Sequence, residues 1–123
     1  MKFAEADTDG GHLIEGYEPG RILIDGRSYS ESLIVSPGRI ISDWGPAAAA
    51  DLSMDHFAAL LALEPQVIVV GTGERQVFPD PPLYFSLLER GVGVEIMDTG
   101  AACRTYNILM AEGRKVAAGL IMR

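Results

Sequence analysis

The 123-residue sequence holds one cysteine, Cys103, two histidines, His12 and His56, and no run of basic residues. Each scarcity removes a class of function. A single thiol forbids an intrachain disulfide, and with two distant histidines no metal-ligand spacing arises. No metal centre is expected, and a reducing cytoplasm is the expected location. Without a basic run nothing neutralises a track of phosphates, so nucleic acid is not an expected partner. No apolar stretch approaches bilayer-spanning length, which argues against membrane insertion. The opening residues Met1-Lys2-Phe3-Ala4-Glu5-Ala6-Asp7 lack the apolar h-region of a secretory signal and are too acidic for a transit peptide.

What is present suits a globular chain: 48% hydrophobic and 22% charged residues, with a length that fits one domain over residues 1–123. The formal net charge is −7, and its placement is uneven. Residues 1–66 carry 11 acids and 4 bases, whereas residues 67–123 carry 6 of each. The acidic first half reads as a solvated face or one that steers a partner protein. The neutral second half gathers Arg75, Arg104, Arg114 and Lys115, which suit a small anion or an acidic protein surface.

Residues 1–11 end in Asp9-Gly10-Gly11 and read as a flexible lead-in. From 12 to 44 the pattern predicts an antiparallel β-meander, with strand segments at Leu13-Ile14, Arg21 to Ile24, Tyr29 to Val35 and Arg39 to Ser42. Asp25-Gly26 predicts a hairpin, because a type I′ turn needs positive φ at both central residues. Ser36-Pro37-Gly38 predicts the next reversal. A helix follows over 53–64, with Ser53 as N-cap, Leu52 stapled to Phe57, and Met54, Phe57, Leu60 and Leu61 on the buried face.

Residues 67–122 predict a β-α-β-α-β unit. Val67-Ile68-Val69-Val70 is a strand covered on both faces. Asp80 and Pro81 open a second helix with Leu83, Leu87 and Leu88 inward and Gly91 past its end. Val92 to Met97 is the next strand. Thr99 caps a third helix whose stripe is Cys103, Tyr106, Leu109 and Met110, and Val116 to Met122 is the last strand. The fold class is therefore α/β: one three-layer domain, an antiparallel meander joined to a unit with parallel strands.

In such a sheet ligands gather at the carboxyl ends of the parallel strands. That places a candidate pocket at Gly71-Thr72-Gly73 and Asp98-Thr99, with an anion favoured at the third helix's N-terminus, polar contacts from Arg104 and Asn107, and Trp44 as a wall. Gly71-Thr72-Gly73 lacks the spacing of a dinucleotide fingerprint and the lysine of a P-loop, so it reads first as a tight turn, and no cofactor is expected. Asp98-Thr99 likewise reads first as a plain helix cap. Cys103 falls on an apolar stripe, where a free cysteine packs as a small hydrophobe. His56 is expected to be exposed, and Tyr106 to be a core aromatic with its hydroxyl partnered at the rim.

The run Val67 to Gly73, then Met97-Asp98-Thr99, Ala102, Arg104 to Leu109 and Glu112-Gly113-Arg114, with Gly16-Tyr17, Asp25-Gly26 and Trp44, resembles a family of small single-domain α/β proteins of largely unknown function. That family includes the mitochondrial complex I assembly factor 3 and the adipogenesis-associated domain protein. The resemblance implies a mixed sheet with flanking helices and marks Gly71, Thr72, Gly73, Asp98, Thr99, Arg104, Thr105, Tyr106, Asn107 and Arg114 as motif positions. It implies a non-catalytic interaction or assembly protein whose partner is another protein. The alternative is a small-anion or metabolite-binding protein, or an unrecognised enzyme, with its site at the carboxyl ends of the parallel strands; no catalytic residue is assigned.

Overall fold

Asp25 and Gly26 both take positive φ, 53° and 77°, in a two-residue turn that sets Ile24 opposite Arg27, as the type I′ geometry requires. This hairpin centres an antiparallel sheet of β1 (Ile14–Glu18), β2 (Arg21–Ile24) and β3 (Arg27–Tyr29). The structure, a computed structural model, describes residues 11–123; apart from Gly11, the expected lead-in lies outside the described residues.

The meander is shared between two sheets, which the sequence pattern did not separate. Tyr29 to Val35 is not one strand. The chain leaves the first sheet at Ser30-Glu31-Ser32, where the buried Ser32 hydroxyl donates to Pro46 O at 2.5 Å. It then enters β4 (Leu33–Ser36) and β5 (Arg39–Ile41). With β6 (Val67–Thr72), β7 (Gly93–Met97) and β8 (Val116–Ile121) these form a five-stranded sheet, ordered β5-β4-β8-β6-β7. β6 runs parallel to β7 and β8, while β4 is antiparallel to β8.

Side-chain alternation divides the core into two layers. Leu33, Val35, Val67, Val69, Val116, Ala118 and Leu120 face one side, where α3 (Thr99–Ala111) packs together with Ile14, Ile22 and Ile24 of the small sheet. Ile34, Ile68, Val70, Ala117 and Ile121 face the other, against α1 (Met54–Leu61) and α2 (Pro82–Glu89). β6 and β8 are buried along their whole length, as a strand covered on both faces must be. The helices sit on opposite faces because the chain steps from β6 outward to β7 and then back past β6 to β8. Crossovers of one hand then place α2 and α3 on different sides.

Four local expectations change. Met54, at the first position of α1, is 57% exposed, and the buried face of that helix is Phe57 and Leu60 with the Leu52 staple. Leu88 is 46% exposed; α2 turns Leu87 inward with Leu83 and Tyr84 beside it. The cap of α3 is Asp98, whose Oδ1 accepts from Ala101 N at 2.9 Å, so Thr99 is the first helical residue and its side chain is free for another task. His56 is half-buried: its Nδ1 accepts from Ser53 N at 3.0 Å, and its ring stands edge-on to Trp44.

Candidate functional site

The carboxyl ends of β6, β7 and β8 meet at the topological switch point where a ligand is expected in an open α/β sheet. Here the chain itself fills that point. The Thr99 hydroxyl, fully buried, accepts from Gly73 N at 2.8 Å and donates to Ile121 O at 2.5 Å, while Thr99 N donates to Gly73 O at 2.8 Å. One side chain thus ties the loop after β6 to the end of β8 through the start of α3. The glycines make this approach possible. A Cβ on Gly71 would lie 2.9 Å from Thr99 Cα, and one on Gly73, whose φ is +101°, would lie 1.9 Å from Arg123 O. Thr72 holds the next turn, its hydroxyl accepting from Val77 N at 3.0 Å and facing Arg75 O and Met97 O.

The N-terminus of α3 is largely engaged. Of its first four N–H groups, Thr99 N goes to Gly73 O, Ala101 N to Asp98 Oδ1 and Ala102 N to Asp98 O. The ring of Tyr17 packs beside Gly100, 3.2 Å from a Cβ built there. Burial raises the Tyr17 phenol above its ordinary pKa, and the carboxylates of Glu74 and Asp98 nearby add to the rise.

The other predicted site residues are distributed over the fold. Trp44 packs against Gly119 on the opposite face of the sheet from α3, and its Nε1 donates to His56 O at 3.1 Å. Thr105 donates to Met97 Sδ at 3.3 Å, and Arg104 is exposed. Tyr106 and Asn107 turn toward the small sheet: Tyr106 OH donates to His12 O at 2.6 Å, and Asn107 accepts from Ile14 N at 3.0 Å and donates to Ile14 O at 2.8 Å. Arg114 lies at the far end of α3, beside a different cleft. Gly71, Thr72, Gly73, Asp98 and Thr99 are therefore brought together, and Trp44, Tyr106, Asn107 and Arg114 are not. Cys103 is fully buried, and desolvation pushes its thiol up to about 12 despite the opposing Arg104 charge, which leaves it protonated and unreactive at neutral pH.

Beside the closed switch point, Ala48 to Ala50, Thr72, Glu74, Arg75, Val77 and Arg123 line a cleft of about 360 Å³. The connection from β6 into α2 also exposes Val77 and Phe78, the latter at 64%, and α2 exposes Phe85 and Leu88 one turn apart. β7, at the margin of the sheet, runs beside α2. Gly93 N donates to Gln66 O, so strand alternation turns the peptide groups of Val94 and Ile96 to the open edge. Gln76 Nε2 covers one of them, Ile96 O, at 3.0 Å. The exposed phenylalanines interrupt no helical periodicity, so their sequence gives no sign of them beyond the Phe85-Leu88 spacing.

Residues 14–121 match a family model described as a protein of unknown function, DUF498/DUF598. The NADH dehydrogenase (ubiquinone) 1 alpha subcomplex assembly factor 3 of Danio rerio is 34% identical over 123 residues, covering 98% of this chain and 70% of its own length. The 13 kDa major membrane protein of Francisella tularensis subsp. holarctica (strain LVS) is 29% identical over 106 residues, covering 85% of this chain and 86% of its own. A crystal structure of a protein from Bordetella parapertussis superposes with a TM-score of 0.87 at 39% identity, covering 93% of this chain and 98% of that one. The chain spans from 59 to 70% of the length of the assembly factor 3 relatives. No helix among the described residues is long and apolar enough to cross a membrane.

Proposed function

The chain belongs to the DUF498/DUF598 family, and from that premise we propose that it is a non-catalytic assembly-type protein that holds another protein during its maturation. The observation that carries this reading is the 34% identity, over 98% of the chain, to a relative named as an assembly factor. The site chemistry is consistent with it. At the strand ends the polar groups of the Gly71-Thr72-Gly73 and Asp98-Thr99 motifs are spent on one another, and the lone thiol is buried and protonated.

The surface assigned to the partner in this reading is the face of α2 with the connection before it. Phe78 and Phe85 are more than half exposed, and large aromatics give interfaces much of their energy. Beside them the open peptide groups of Val94 and Ile96 N offer hydrogen bonds to an added strand. Affinity purification of the full chain from its source organism, with quantitative mass spectrometry, should recover one protein far above a mock control. Phe78→Ser combined with Phe85→Ser should remove that protein while leaving the melting temperature nearly unchanged. Repeated recovery of no protein at any growth stage would sink the reading.

A further inference from the structure

At the amino ends of β6 and β8, opposite the switch point, four connections converge on an open cleft of about 650 Å³. Its floor is apolar: Pro65, Met110 and Val116 are buried beneath it and Leu63 is half-buried. Its rim carries Arg39, Arg114 and Lys115, all exposed, and no carboxylate lines it. None of the three has an ion pair among the described residues, and the acids nearest in sequence, Glu64 and Glu112, lie outside the lining.

This grouping occurs in a chain whose net charge is −7, so it is not the overflow of a basic composition. Arg114 and Lys115 have an ordinary reason to be there, since they follow the C-terminus of α3, where cations complement the helix dipole. Arg39 has none: it comes from the β4–β5 hairpin across the opening. Three like charges around one mouth repel each other and concentrate anions locally. The walls are held in place without a ligand, through Gln66 N to Lys115 O at 2.7 Å, His12 N to Pro37 O at 3.2 Å and Arg114 N to Leu109 O at 3.1 Å. The volume falls within the few hundred to about 1,000 Å³ usual for small-molecule sites.

We propose that this cleft binds a small organic anion, a carboxylate or phosphate ester on a short apolar body. The head is held among Arg39, Arg114 and Lys115, and the body lies over Leu63, Met110 and Val116. The site is separate from the α2 face and goes beyond the assembly reading.

The test is an NMR titration of the ¹⁵N-labelled full chain at low salt with octanoate, octyl phosphate, octylammonium and inorganic phosphate. Octanoate or octyl phosphate should move the amides of Arg39 and of residues 113–116, and the tighter of the two identifies the head group. Octylammonium should leave those amides in place, and inorganic phosphate should bind at least roughly tenfold more weakly for want of an apolar body. Arg39→Ala and Arg114→Ala should each weaken the tighter probe by about fivefold, the scale of one exposed ion pair. Equal binding of octanoate and octylammonium, shifts mapping elsewhere, or an Arg39→Ala variant with unchanged affinity would each overturn the proposal.

Discussion

The Asn107 amide spends both of its polar atoms on the backbone of Ile14, as a neighbouring strand would at the edge of β1. Replacing it by Ala leaves an N–H and a C=O without their partner, each partly buried, and a loss of about 2 kcal/mol in urea unfolding is expected. Asn107→Asp should cost more than Ala does, because a carboxylate oxygen would then face Ile14 O. Gly119→Ala tests packing on the other face. The new Cβ would fall 2.4 Å from the Trp44 ring, so a destabilisation of roughly 1–3 kcal/mol and a change in the emission of the single tryptophan are expected. Cys103 bears on pH. Its folded pKa is raised to about 12 from 9.0, so the unfolded chain loses the thiol proton first as pH rises. Its contribution to stability is complete below about pH 9 and is lost as pH climbs toward about 12. Tyr106, raised by burial and then by Asp25, acts in the same direction. Cys103→Ala should flatten the alkaline fall in unfolding free energy between pH 9 and 11. That Cys103 packs was readable from its place on an apolar stripe. The role of Asn107 was not, since its partner lies 93 residues away.

At the scale of elements, the staple made by Thr99 is the most exposed to test. Thr99→Val keeps the shape and removes the hydroxyl, orphaning Gly73 N and Ile121 O at a buried position, so a loss of about 2–3 kcal/mol is expected by denaturant titration. Thr99→Ser should retain most of the stability. The strands and helices of residues 67–122 were legible because fully buried strands read as continuous apolar runs and the helices carry turn and cap residues at their ends. Two kinds of feature were less so. Asp98 and Thr99 are both good caps, and only the demand of Gly73 and Ile121 for the threonine hydroxyl decides between them. Met54 and Leu88 fit the helical period, yet a helix against one sheet buries a narrower stripe than the period alone suggests.

For the whole molecule, the sequence carried the class of architecture and left open how the meander divides. The break at Ser30-Glu31-Ser32 has no glycine or proline to mark it, and β4 leaves its neighbours because β8 offers a better-buried edge. The basic cleft was hidden for a related reason: its lining comes from residues near 11, 36–39, 63–65 and 110–116, which no local motif joins. The strand-end motif was found, but its glycines serve close approach within the chain, and the surfaces proposed for a protein partner and for an anion lie on α2 and at the opposite end of the sheet.

Joining the small sheet to the rest through α3 also sets an order of opening. Among the described residues β1, β2 and β3 pair with no strand of the larger sheet, and their polar attachments include the Tyr106 hydroxyl and the Asn107 amide. They are expected to open as a foldon of their own, held to the shared core by Ile14, Ile22 and Ile24 and by those two side chains. Native-state hydrogen exchange should therefore show amides such as Leu23 and Ile24 released at a lower free energy than Val69 or Ala118. Asn107→Ala should lower the first group further at low denaturant, so that the β1–β3 unit detaches while the parallel core is still protected.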